Sequence, residues 1–280
     1  MTAILGGFGA ALCWTVAMLC SSRASRELGA KPTLAWVMGL GFLIVLPLVV
    51  AAGSLPTGSV AGWLFVAGVG NIIGLLCEYT AVRSGKVGVV AAIASTEGGV
   101  AAVLSAIAGE PISAAVAAVL ALIATGIVMA SLEESKTEVA ERWATKAVML
   151  AFAAALSFGI SLYAVGHVSG DVELAWLVLP ARLVGMAVIT LPLAVRGGLR
   201  IPRRTTPFVL AAGVAEVVGV ASFAWGARDS IGITSVLGSQ FAAISAVGAF
   251  FFFGERLRRI QIVGVGAILV GVGLLAVLRT

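Results

Sequence analysis

Four ionisable side chains stand inside long apolar runs of this 280-residue chain: Glu78, Glu97, Arg182 and Glu216. A charge in the middle of such a run is costly to bury, so it needs a partner, a proton or a ligand, and by default it marks a pathway or coupling site. Glu97 and Glu216 each lie about ten residues from a basic loop, which at 1.5 Å per helical residue puts them roughly 15 Å deep. Facing a shared cavity, this pair could take a proton or a substrate amino group. Either could instead hydrogen-bond a neighbouring helix, or be a protonated or Arg182-paired strut. Glu78 stands near the basic end of its run and Arg182 nearer the opposite end of its own, where snorkelling or an interfacial carboxylate partner would satisfy it.

Other polar and aromatic residues fall at spacings that could serve the same cavity. Asn71, Gly74 and Glu78 share one helical face by their three- and four-residue spacing, which would set Asn71 in the wall and Glu78 at the inner mouth. Trp14 and Tyr163 could stack on an apolar or cationic ligand while keeping one polar handle, or simply pack. His167, the only histidine, shares a face with Tyr163 and is read as interfacial, with an outer proton sensor as the alternative. Gln240, Ser239 and Ser95 offer polar contacts within apolar runs. Trp36, Trp63, Trp143, Trp176 and Trp225 lie near run ends, where an aromatic belt accounts for them. Gly70-x-x-x-Gly74 and its counterpart Ala215-x-x-x-Gly219 read as helix packing.

The chemistry that is missing narrows the field. There is no Walker motif, GxGxxG, HExxH or GxSxG, so nothing supports ATP-driven work, a nucleotide cofactor, zinc hydrolysis or serine hydrolysis, and no cofactor or metal is implied. Cys13, Cys20 and Cys77 lie singly inside apolar runs and read as small buried residues.

The elements that carry these residues follow from composition. Hydrophobic residues make up 60% of the chain and charged residues 11%, against about 25% charged in a soluble domain. Too few charges remain to cover a water-facing surface, so the solvent is lipid, and a soluble enzyme, a DNA-binding domain and disorder are excluded. Apolar runs of membrane-spanning length recur at about 3–21, 33–52, 60–82, 87–109, 113–132, 147–167, 174–195, 206–228, 231–253 and 260–278. The period-two alternation of a β-barrel is absent. Ten transmembrane helices in an all-α membrane bundle are predicted, and the first run is expected to remain as a helix, since no basic n-region or cleavage site surrounds it.

Of the eighteen basic residues, all but Arg182, Arg228 and Arg279 fall in alternate loops. The positive-inside rule makes that side cytoplasmic, places Asp171 and Glu173 outside and turns both termini outward. The longest charged connection, 133–146 (EESKTEVAERWATK), divides the chain into 1–132 and 147–280, with five spans in each. A shift of 144 to 145 residues superposes Pro47 on Pro192, Gly74 on Gly219, Arg83 on Arg228, Gly109-Glu110 on Gly254-Glu255 and Gly126 on Gly271. Five is odd, so the second copy must be inverted, and the basic bias of its loops flips accordingly. Inverted repeats are a common construction of secondary transporters, because two similar halves of opposite orientation give two states of nearly equal energy.

The halves end alike, in AIAGEPISAAVAAVLALIATGIVMA and FFFGERLRRIQIVGVGAILVGVGLLAV, each with a Gly-Glu pair closing one helix and a Gly-spaced last helix. Together with the ten inverted spans, this resembles the drug/metabolite transporter superfamily with two EamA-type repeats, along the whole chain. The resemblance implies a metabolite carrier, often an exporter, with helices one, three, four, six, eight and nine around the cavity. The members most similar in layout include bacterial aromatic amino-acid exporters.

The expected protein is therefore a carrier in a bacterial-type inner membrane, not an enzyme, exporting small amphipathic metabolites, amino acids in first place. The lipid bilayer and the small molecule are its partners, protons are a candidate coupling ion, and no nucleic acid is involved. A drug or cationic-compound exporter is the alternative within the superfamily, and a channel or a membrane enzyme on lipid-linked substrates lies outside it.

Overall fold

In lipid a chain must satisfy its own backbone N–H and C=O groups, so each long apolar run closes into a helix. The structure, a computed structural model, describes residues 1–53, 55–108, 114–131, 138–168, 172–227, 229, 237–238 and 240–278. Gly109, Glu110, Asp171, Arg228, Ser239 and Arg279, singled out above, lie outside these residues. The first half comprises α1 (Thr2–Leu28), α2 (Ala30–Ala52), α3 (Gly58–Ser84), α4 (Val87–Ala94), α5 (Glu97–Ile107) and α6 (Ala114–Ser131). The second comprises α7 (Glu138–Val168), α8 (Leu174–Gly185), a π-helical turn (Met186–Thr190), α9 (Leu191–Val195), α10 (Thr206–Ala227), α11 (Phe241–Phe253) and α12 (Arg259–Leu278). The protein is an all-helical membrane protein with the ten-helix, two-repeat fold expected from its sequence.

The helices outrun the apolar segments at the basic end. α1 continues through Arg23 and Arg26 to Leu28, and α7 already begins at Glu138, inside the segment read as a linker. Arg, Glu, Lys and Ala are good helix formers, so a charge marks where lipid ends and not where the helix does.

The fourth apolar run, read as one helix over 87–109, is two. Ser95 and Thr96 turn the chain, and their hydroxyls donate to the Ala92 and Ile93 carbonyls at 2.8 and 2.7 Å. Hydroxyl groups that satisfy carbonyls of the preceding turn offer the backbone an alternative to continuing the helix. One repeat length later, Gln240 turns the chain before α11 at φ −65° and ψ −8°, against −64° and −7° at Ser95. The two repeats thus take the same backbone turn at equivalent positions. The seventh span is also irregular: the Leu191 N–H reaches Met186 O across five residues, just before Pro192, which has no N–H to give.

Close approach of helices ties the halves together. α3 packs on α7 through Gly70 and Gly74, where a Cβ at Gly74 would come within 2.5 Å of the Phe158 ring. The repeat-related pair is α10 on α1, with Gly219 against Trp14. α6 and α12 meet each other: a Cβ at Gly126 would fall 2.9 Å from Ile268 Cγ1, and one at Gly271 2.5 Å from Ile123 Cγ1. Gly126 and Ile123 become Gly271 and Ile268 on a shift of 145, so this contact maps onto itself when the repeats are exchanged. Such reciprocity is the mark of a two-fold axis.

Candidate functional site

α4 is buried all round, and the break that follows it faces a cavity of about 410 Å³ in the middle of the bundle. α1 contributes Trp14, Ala17 and Met18; α3 contributes Asn71, Leu75, Glu78 and Tyr79; α7 contributes Phe158 and Ser161. Arg182 comes from α8, Glu216, Val220 and Phe223 from α10, and Glu97 and Phe241 from the first turns of α5 and α11. A carboxylate at the start of α5 sits where the helix dipole favours negative charge. The cavity runs from Val172 and Leu174, towards the Met1 end of the bundle, to Met18, Glu78 and Tyr79.

Arg182 is the largest fully buried side chain among the described residues, 1% exposed. Of the sequence-based readings, snorkelling or a carboxylate partner, the second describes it: its Nη2 lies 3.7 Å from Glu216 Oε1, inside the bundle and not at an interface, and its Nη1 donates to the Met38 sulfur at 3.5 Å. The small Gly41 makes room for the guanidinium, since a Cβ there would stand 2.8 Å from Arg182 Nε. Glu216 is therefore the Arg182-paired carboxylate. Glu97 and Glu78 have no hydrogen-bond or ion-pair partner among the described residues, and Asn71 Oδ1 is a buried acceptor with none.

Of the residues singled out from sequence, Glu78, Glu97, Glu216, Asn71 and Trp14 line the cavity. Trp14 packs with Phe223 at 5.7 Å and edge-on to Phe241 at 6.1 Å between ring centroids. Tyr163 is not in the wall: it clusters with Trp63 and His167, whose rings stack at 4.5 Å. Gln240 forms the turn before α11 and is also outside the wall. Gly74 faces α7, so the cavity face of α3 is Asn71, Leu75 and Glu78. Arg182, read from sequence as snorkelling or paired at an interface, also lines the wall, and sequence reasoning left out Tyr79, Phe158 and Phe223 as wall residues and span seven as a wall element. The spacing of Glu216, Val220 and Phe223 was the available signal for Phe223, since residues four and seven apart share a helical face.

Beyond Tyr79, at the basic end, side chains link the two repeats. Arg26 of α1 donates to the carbonyls of Val82 and Gly85 at 2.9 and 3.3 Å and to Glu255 Oε1 at 2.8 Å, and its guanidinium lies 4.5 Å from the centre of the Phe253 ring. Glu255 Oε2 also accepts from the Gly88 N–H at 3.5 Å, and Lys86 reaches Gln261 at 3.1 Å. Glu27 is held by the buried Thr205 at 2.7 Å, with Arg204 at 3.6 Å.

This layout has a match among known proteins: residues 1–132 and 145–277 fit the EamA-like transporter family. The chain belongs to that family. EamA-like proteins are membrane transporters, which implies a small-molecule substrate for this one. The match is to the family as a whole and singles out no aromatic amino-acid exporter within it. A crystal structure sharing 14% identity superposes with a TM-score of 0.64 over 99% of this EamA-like chain and 97% of its own, a likeness of fold alone. No curated protein matches the chain.

Proposed function

We propose that the protein exports small amphipathic metabolites bearing an amino group, amino acids among them, across a bacterial-type inner membrane by alternating access. The basic end faces the cytoplasm in this reading, on the positive-inside rule, and both termini face outward. The observation that carries the proposal is the central cavity. Its volume falls in the roughly 300–1,000 Å³ range of small-molecule sites, and it joins an apolar, aromatic wall to Glu97, Glu78 and the Arg182–Glu216 pair. The stitched basic end would then be the inner gate, shut, with cargo leaving towards Val172 and Leu174. The cargo gradient alone can drive such a carrier; protons held by Glu97 or Glu216 are the alternative source.

The test is uptake of labelled Phe, Trp, Thr and Met into proteoliposomes of the purified protein, with and without an imposed pH gradient. Saturable uptake, speeded by unlabelled amino acid on the far side, is expected of a carrier. No uptake of any of the four by folded, inserted protein would overturn the amino-acid reading.

A further inference from the structure

The next inference rests on the carrier reading and concerns the charge of the cargo. Three carboxylates and one guanidinium line the cavity, and Arg182 is its only lysine or arginine among the described residues. That cation is already engaged with Glu216 and the Met38 sulfur. Its remaining Nε is buried without a partner beside Gly41, where not even a methyl group would fit. The open polar groups include no cation: the carboxyl groups of Glu78, which is only 8% exposed, and Glu97 accept, as does Asn71 Oδ1, and the donors beside them are neutral N–H groups of Asn71 and Trp14.

The consequence follows from desolvation. A carboxylate entering this space would lose its water and meet no free cation, with two carboxyl groups of the wall beside it. An ammonium group entering the same space gains acceptors that otherwise stay unpaired in a low-dielectric surround. Around these acceptors stand Trp14, Phe158, Phe223 and Phe241, whose ring faces attract a cation and cover an apolar body. We infer that the site selects cargo of net positive charge, an organic amine with an apolar or aromatic body, over the zwitterion of the same skeleton. Glu97 and Glu78 receive the ammonium group, and the Arg182–Glu216 pair is a neutral strut that keeps the only guanidinium away from cargo.

Two matched probe pairs isolate the carboxylate: phenethylamine against phenylalanine, and tryptamine against tryptophan. Binding is measured by calorimetry on wild-type protein in lipid nanodiscs at neutral pH, where all four amino groups are protonated. Each amine is expected to bind about tenfold tighter than its amino acid, or more. Glu97→Gln and Glu78→Gln are each expected to reduce that preference; a variant whose melting curve shows misfolding is set aside, and the wild-type comparison stands without it. Equal or tighter binding of the amino acids, or a preference unchanged in both folded variants, overturns the inference while leaving the carrier reading in place. Binding of none of the four probes also overturns it, and proteoliposome uptake then judges the carrier reading separately.

Discussion

The two ends of the bundle are held in different ways. At the basic end, Arg26 and Glu255 join α1, the α3–α4 junction and the segment between α11 and α12, so charge crosses from one repeat to the other. At the Met1 end the contact is smaller: Asp229 accepts from the Met1 amino group at 3.3 Å, the Thr2 hydroxyl at 2.7 Å and the Ala3 N–H at 3.2 Å. It neutralises the free N–H groups that start α1, a capping role, and reinforces α1 against α10, which are packed together already through Gly6 and Gly226. One end is a bridge between the repeats, which in the carrier reading would cross the pathway, and the other a fastening beside it. A bridge sets which side is shut; a fastening sets only how well one pair of helices is seated.

The largest effect should come from breaking the bridge. Arg26→Glu opposes Glu255 with a like charge, and transport is expected to fall about tenfold or more as the basic end loosens. Spin labels at Ser84 and Arg256 should show a longer distance population, and adding Glu255→Arg should restore the short one. If neither distance nor transport changes, Arg26 and Glu255 do not form the gate.

A second measurement asks whether both ends turn on one axis. Gly126→Val and Gly271→Val are expected to destabilise the protein by similar amounts, about 1–3 kcal/mol each, because each forces a side chain into the same reciprocal contact. Denaturation in detergent would show it, and strongly unequal losses would argue against a shared pivot.

A weaker response is expected at Glu27. Its carboxylate ties α1 to the loop before α10 through Thr205, while Arg204 is largely exposed. Glu27→Gln should cost less than about 1 kcal/mol, since exposed ion pairs contribute little, and should leave the Ser84–Arg256 distance unchanged.

The smallest effect belongs to the fastening. The Thr2 hydroxyl, the Ala3 N–H and the N-terminal ammonium hold the Asp229 carboxyl below the ordinary carboxylate range. A carboxyl whose folded pKa is lowered stabilises above its unfolded pKa, and the contribution is lost as pH falls through the folded one, below about 4. Asp229→Asn should therefore lower Tm slightly at neutral pH and hardly at all in acid, with no change in transport.

The sequence made the spans and the repeat legible, because lipid imposes a minimum length on every apolar run and the loop charges report each crossing. What it left hidden were features that hydropathy does not register. The run over 87–109 carries Ser95-Thr96-Glu97-Gly98-Gly99 in its middle, too short an interruption to lower its mean hydropathy below that of a span, yet the Ser95 and Thr96 hydroxyls end α4 there. Arg182 stands off-centre in its run, which favoured snorkelling or an interfacial partner, but Gly41 and Glu216 on neighbouring helices give it a place inside. Gly74 and Asn71 were assigned one face; the neighbour α7 takes the glycine and the cavity takes the asparagine. In each case the deciding group lies on another helix or in a hydroxyl rotamer, beyond the reach of periodicity.

The reciprocal meeting of α6 and α12 has a mechanical corollary. Exchanging the repeats leaves the Gly126–Ile268 and Gly271–Ile123 contacts as they were, so in the alternating-access reading proposed above this seam would weigh the same whichever mouth is open, a bearing with no preferred direction. The idle bias of the molecule must then arise from parts that have no twin. Glu97 has Ala242 as its counterpart, Glu78 has Phe223, and Arg26 has Asp171. On that reading a near-symmetric machine would acquire its resting side through a handful of unmatched charges, and substituting those residues would retune its idle position while leaving the axle untouched.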